Sequence, residues 1–193
     1  MRTRCHCGLS SPPSISLVFV LLVFTPVVTG GATLQSVYES APRQLGYDRY
    51  LDLRSGTTYT GGIAIPDGGS VCIKGNGAII DLEGSIIAVT GRGALLDIDH
   101  CVILNGGDPD LGTGQGALNL TGCRGNVINN TICGNTVGVR VYAAKPNAVR
   151  IKNNIIVNNS SVGVLWQIGC DPEITYNDCW GNGGYGNYAM DCG

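Results

Sequence analysis

Val127-Ile128-Asn129-Asn130-Thr131-Ile132-Cys133-Gly134-Asn135 is followed by Ile151-Lys152-Asn153-Asn154-Ile155-Ile156-Val157-Asn158-Asn159, and then by Ile174-Thr175-Tyr176-Asn177-Asp178-Cys179-Trp180-Gly181-Asn182. In each stretch an aliphatic residue leads, a small polar residue stands three on, an apolar one five on, and a polar residue eight on. Two further units share the skeleton, Ile73/Asn76/Ala78/Asp81 and Ile98/Cys101/Ile103/Gly106. The leading residues of the five units lie 25, 29, 24 and 23 residues apart. Self-similarity at such a period marks a solenoid, in which each repeat buries its apolar face only against its neighbours.

Within a unit the pattern has period two, broken by a tight corner. Val71 and Ile73, Leu96 and Ile98, and Val149 and Ile151 alternate with polar residues, as half-buried strands do. Asn then falls at the corner in four units, as Asn76, Asn130, Asn154 and Asn177. Asn tolerates left-handed backbone angles and bonds to nearby main chain. Stacked in register, these amides are expected to form a hydrogen-bonded ladder along the axis. A third strand follows in most units, around Ile87-Ala88-Val89, Leu118-Asn119-Leu120, Val139-Arg140-Val141 and Val162-Gly163-Val164. Three short strands per turn predict an all-β parallel coil of about five to six turns with a continuous aliphatic interior.

Composition sets the surroundings. Arg2 and Arg4 precede an apolar run from Ile15 to Phe24, and small residues follow around Thr29-Gly30-Gly31. That order is the layout of a secretory signal peptide, assigned to residues 1–31. Read instead as a membrane anchor, the run is short, since about 20 apolar residues are needed to span. Residues 32–49 form an N-terminal segment with a short capping helix within 34–46, and residues 50–193 form the coil. Without the leader the chain carries 10 basic and 14 acidic residues, net −4, a poor partner for a nucleic-acid backbone. Seven cysteines remain, Cys72, Cys101, Cys123, Cys133, Cys170, Cys179 and Cys192. Their places in the repeat favour packed, free thiols over bridges, with Cys179 in the inward slot of Ile132 and Ile156.

The three stretches quoted first resemble the right-handed parallel β-helix repeats of the pectin lyase-like superfamily, and the resemblance extends over about residues 50–190. It implies a right-handed coil and leaves function open among lyases, hydrolases, epimerases, adhesins and inert spacers. The unit at Gly184 to Gly193 has no evident closing cap, which suggests either a coil truncated at its C-terminus or an end that stacks on a partner.

In relatives that cleave polysaccharides, the resemblance places carboxylates on the outer face of one strand stack, with Arg or Lys beside them in the lyases. Hydrolysis of a glycosidic bond needs two carboxyls at a fixed separation. Abstraction of a proton beside a uronate carboxyl needs a base and a cation, often Ca²⁺. Along the third strands, alternation points Ala88, Asn119, Arg140 and Leu165 outward, flanked by Thr121, Tyr142 and Gln167. That face has one cation and no acid, so Asn119, Arg140, Tyr142 and Gln167 form a candidate ligand-binding set rather than a catalytic one. Arg150-Ile151-Lys152 is similar to an Arg-Ile-Lys element of polygalacturonases, but the paired Asp and Gly-His-Gly elements are missing.

A second candidate is catalytic: Asp97 and Asp99 point outward near Lys74 on the coil below and Arg150 two coils above. Lys74 would serve as a base if burial lowered its pKa. The plainer reading is a solvated strand face with weak ion pairs, each worth under about 1 kcal/mol. A third candidate is the insertion Gly107 to Gly114, where Asp108, Asp110 and Gly112 faintly match a Ca²⁺ loop lacking its bidentate Glu. Apart from that possible Ca²⁺, no cofactor is indicated. The aromatics Trp180, Tyr142 and Tyr176 would stack on sugar rings if exposed, whereas Trp166 lies in line with inward Val164. The leading functional expectation is a secreted, periplasmic or cell-surface non-catalytic module that binds glycan or acts as a rigid spacer. The rival is a polysaccharide lyase or glycoside hydrolase acting on uronate polymers through Asp97, Asp99, Lys74 and Arg150.

Overall fold

The computed structural model describes residues 31–108, 115–184 and 186–191. Residues 1–30 of the leader proposed at 1–31, Asp110 and Gly112 of the insertion, and Cys192 lie outside the described residues. A short helix, α1 (Leu34–Ser40), comes first among the described residues, with the Thr33 hydroxyl accepting the Ser36 N–H as its N-cap.

Six rungs follow. They comprise β1 (Arg49–Asp52), β2 (Thr58–Thr60) and β3 (Ile63–Ile65); β4 (Ser70–Asp81) and β5 (Ile87–Thr90); β6 (Leu95–Leu104) and β7 (Gly116–Thr121). The remainder are β8 (Arg124–Ile128), β9 (Thr131–Cys133) and β10 (Val137–Tyr142); β11 (Val149–Lys152), β12 (Ile155–Val157) and β13 (Val162–Gln167); β14 (Glu173–Thr175), β15 (Asp178–Trp180) and β16 (Gly186–Asp191). All strand pairings between rungs are parallel. First and second strands share one sheet because β4 and β6 each run unbroken through the corner between them; third strands form a separate sheet ordered β16-β13-β10-β7-β5-β3. Val127, Ile151 and Ile174 are direct register partners, as the repeat requires. The fold is an all-β parallel β-helix.

The core is a set of aliphatic rows along the axis. Ile73, Ile98, Val127 and Ile151 form one, and Ile80, Ile103, Ile132 and Ile156 another; all are buried. Trp166 pairs with Val141 and packs partly buried against this core, in line with Val164. Gly125 breaks the first-strand rows for a steric reason. Its φ is +152°, and a Cβ there would lie 1.9 Å from the Leu96 carbonyl oxygen.

Two asparagine ladders run up the corners. At the first, Asn177 Oδ1 accepts from the backbone N–H and Nδ2 of Asn154, both at 2.9 Å. Asn154 Oδ1 accepts from Asn130 in the same way at 2.9 and 3.2 Å, and Asn130 Oδ1 accepts the Cys101 N–H at 3.0 Å. Each amide also donates to a strand carbonyl on the preceding rung: Asn130 to Ile98, Asn154 to Val127, Asn177 to Ile151. At the second corner Asn182, Asn159 and Asn135 repeat the scheme and end on the Gly106 N–H. The residues of this second ladder stand at the eighth place of the repeat.

Two details of the expected repeat are corrected. The left-handed residue at each corner is not the ladder Asn but the one before it. His100, Asn129, Asn153 and Tyr176 have φ of 52–58° at the first corner, and Asn105, Gly134, Asn158 and Gly181 take positive φ at the second. Asn76 is not in the ladder at all. The register steps from Lys74↔Asp99 to Ala78↔Cys101, so β4 carries two extra residues, and Ala78 rather than Asn76 lies beneath Cys101. Asn76 instead donates to Asp52 Oδ1 and the Leu53 carbonyl.

The buried amides make the fold sensitive at one position above others. Asn154→Ala strips acceptors from the Asn130 N–H and a donor from the Val127 carbonyl, each a buried group left unpaired at about 1–3 kcal/mol. We expect a loss of about 3 kcal/mol in denaturant unfolding, against under about 0.5 kcal/mol for exposed Asn153→Gly, which keeps the left-handed turn.

Candidate functional site

The first strands expose two outer rows. Tyr50, Cys72, Asp97, Asn126, Arg150 and Glu173 form one; Asp52, Lys74, Asp99, Ile128, Lys152 and Thr175 form the other. Across the lower part of these rows folds a tight turn, Gln44 to Tyr47, closed by paired backbone hydrogen bonds between its ends. The turn is tethered by Asp48, which accepts from the Ser70 backbone N–H at 3.1 Å and hydroxyl at 2.7 Å. These bonds hold the half-buried Asp48 carboxyl below its ordinary pKa. Between turn and rows lies a groove of about 410 Å³, lined by Tyr47, Tyr50, Lys74, Asp97, Asp99 and Asn126 among others.

Asp97, Asp99 and Lys74 therefore come together as the alternation implied, but their states are set by one another. The Asp97 carboxylate accepts from the Tyr47 hydroxyl, the Asn126 N–H at 2.9 Å and Asn126 Nδ2 at 2.6 Å. The same bond to Asp97, then burial, pushes the Tyr47 phenol far above its ordinary range. Asp99 Oδ2 accepts from Lys74 Nζ at 2.5 Å, while Asp99 Oδ1 is buried without a hydrogen-bond partner. The hydrogen bond to Asp99 holds the Lys74 ammonium above its ordinary pKa, the reverse of what a general base needs. Arg150 does not join the group. Its Nε pairs with Glu173 on the next rung at 3.0 Å, and it is absent from the groove lining. Three donors converge on one carboxylate and an ammonium on the other, so the acids of this groove are paired internally.

On the third-strand face, Asn119, Arg140 and Leu165 are register neighbours. Arg140 Nη1 donates to Asn119 Oδ1 at 3.2 Å, and its guanidinium lies 4.1 Å over the Tyr142 ring. Gln167 stands apart in role, its Oε1 accepting the Ala143 N–H. Leu165, expected outward, is buried with Val137 and Val162 in a small apolar cluster. Asp108 is half-buried at the edge of the insertion, and among the described residues no three His, Cys, Asp or Glu side chains gather to hold a metal. Also among the described residues, no helix is long and apolar enough to cross a membrane.

Tyr47, Tyr50 and Asn126 were not singled out in the sequence. A signal was present for Tyr50, since β1 alternates Tyr50 out, Leu51 in and Asp52 out. Tyr47 reaches Asp97 across 50 residues, and no local pattern reports that.

Two outcomes are expected in solution. The Lys74 shift is upward, so the stability that the Lys74–Asp99 pair contributes is complete below the ordinary lysine pKa of 10.5 and is lost as pH rises through the higher folded value. The difference in unfolding midpoint between the native chain and Lys74→Met should hold from pH 7 to about pH 10 and shrink above it. The described cysteines are free, and burial pushes the Cys72 thiol up to about 11, Cys101 to about 12 and Cys123 to about 11. Alkylation at pH 8 should therefore leave these three unmodified in the native chain and label them on denaturation, read by mass spectrometry of peptides.

The chain matches the family model described as "Right handed beta helix region" over residues 53–192. No curated protein and no solved structure matches it.

Proposed function

The chain belongs to the right-handed β-helix family, and we propose that it is a non-catalytic, glycan-binding module. One observation carries the reading: the first-strand groove presents Tyr47, Tyr50 and Asn126, while its two carboxylates are already engaged by internal donors. A sugar ring offers an apolar face edged with hydroxyls. Tyrosine rings supply a matching apolar face with a polar tip, and amides and carboxylates exchange hydrogen bonds with hydroxyls. Trp180, 53% exposed, and Tyr176, 80% exposed, add stacking surface on the last rung that the core does not require. An exported location, implied by the leader-like residues 1–31, would set such a module among extracellular or surface glycans.

Calorimetric titration of the mature chain with cell-wall oligosaccharides tests this. Tyr50→Ala and Asn126→Ala are each expected to weaken binding at least ten-fold, about 1.4 kcal/mol, with unchanged far-ultraviolet circular dichroism. An absence of binding across glycans would reduce the module to a spacer. Unsaturated, ultraviolet-absorbing product from uronate polymers, with or without Ca²⁺ and lost in Lys74→Ala, would establish the lyase reading instead.

A further inference from the structure

We propose that the glycan is acidic, and that its anionic groups are read by a cationic corner made of Arg92, Arg124 and Lys145. The inference rests on the glycan-binding reading and names the ligand class for it. The three residues lie where the chain turns from a third strand back to a first strand on three successive rungs: between β5 and β6, at the start of β8, and between β10 and β11. All three are exposed and together line a groove of about 620 Å³ that has no acidic side chain in its wall. None of them forms an ion pair among the described residues, unlike Arg43, Lys74 and Arg150. Asp67 packs against Gly91, and the Asp171 carbonyl accepts the Asn147 N–H; both flank the corner without lining the groove.

The corner is continuous with the tyrosine groove. A depression of about 400 Å³ joins them, sharing Arg124 and Ala148 with the corner and Asn126 with the tyrosine groove. A single extended ligand therefore has one path from Tyr50 past Asn126 to Arg124 and on to Arg92 or Lys145.

The spacing and charge favour a polymer over a single ion. Rungs repeat at about 4.8 Å, so the three cations are spread over roughly 10 Å along the axis. Successive rings of an extended sugar chain present their substituents at a similar step. The protein as a whole carries a net charge of −2, yet, with Asp67 and Asp171 standing outside its wall, this groove is lined by no acid and by three cations. Their mutual repulsion is relieved by an anionic ligand, and the arginine forks suit the paired oxygens of carboxylates and sulfates. Gly93 and Gly122 keep the groove wall low where such a chain would approach the backbone.

The test compares four ligands on the mature chain by calorimetry: polygalacturonate, a sulfated glycan, a neutral glucan and a single-stranded DNA oligonucleotide. Two variants are used, the corner triple Arg92→Ala/Arg124→Ala/Lys145→Ala and the groove variant Tyr50→Ala. Binding of an acidic glycan at least ten-fold tighter than the neutral one, weakening with salt and falling at least ten-fold in the corner triple, is the expected result. Whichever of carboxylated and sulfated chains binds tighter identifies the anionic group. The neutral glucan should bind the triple and the native chain alike. If the triple holds acidic chains as tightly as the native chain, or if neutral chains bind as well as acidic ones, the inference falls while glycan binding stands. DNA binding as tight as the acidic glycan overturns it too, because the corner would then be an unselective polyanion surface. No binding of any sugar overturns both readings. The substituted side chains are exposed, and matching unfolding midpoints for triple and native chain will separate lost binding from lost folding.

Discussion

The structure depends on finding partners for backbone groups at corners too tight to pair them by strand ladder alone. A turn made by one left-handed residue leaves the next N–H pointing into the coil, away from water. An unpaired buried N–H costs about 1–3 kcal/mol, a large fraction of a domain's net stability. Here the oxygen of an Asn on the following rung accepts that N–H, and its own nitrogen donates to a strand carbonyl, as in Asn154 between Asn130 and Val127. Since each amide must lie directly over the next, the ladders also fix the register of every aliphatic row. The dependence is visible where the ladder runs out. Cys101 takes the Asn130 oxygen but has no amide to pass down, and on the rung below it β4 slips by two residues.

That slip shows how far spacing alone can be trusted. The stretches at Val127, Ile151 and Ile174 disclosed the coil because aliphatic and Asn positions repeat together, and their partners in the structure are the ones the period implies. Ile73, Asn76, Ala78 and Asp81 satisfy the same template by coincidence. An extra pair of residues at the corner keeps a polar residue three on while moving the true inward position to Ile80, which is fully buried. The doublets Asn129-Asn130, Asn153-Asn154 and Asn158-Asn159 hid a second lesson. One Asn turns the chain and the other bonds along the axis, and composition does not say which is which.

The site was legible to a similar depth. Strand alternation was enough to place Asp97, Asp99 and Lys74 on one face and Asn119, Arg140 and Tyr142 on another. It did not tell which neighbour in a row a long side chain would grip. Arg150 has Asn126 below and Glu173 above as register partners, and it chose the acid. Nor did it reveal Tyr47, which arrives from a turn outside the repeat and converts Asp97 from an exposed carboxylate into a shared acceptor.

A solenoid repeats its faces, so any site that distinguishes one rung from the next must come from what does not repeat. The turn at Gln44 to Tyr47 and the corners holding Arg92, Arg124 and Lys145 are such parts, and the depression through Asn126 connects them. The rungs contribute what the irregular parts lack, a fixed pitch of about 4.8 Å that neither binding nor solvent will easily change. Backbone positions held on that pitch need no reordering to meet a ligand with a comparable repeat, which leaves only the side-chain rotamers to be fixed on binding. The same pitch decides which neighbours the two acids meet: register sets Asn126 over Asp97 and Lys74 under Asp99, while Tyr47 reaches Asp97 from the turn outside the repeat, so one groove joins a repeating face to an irregular one.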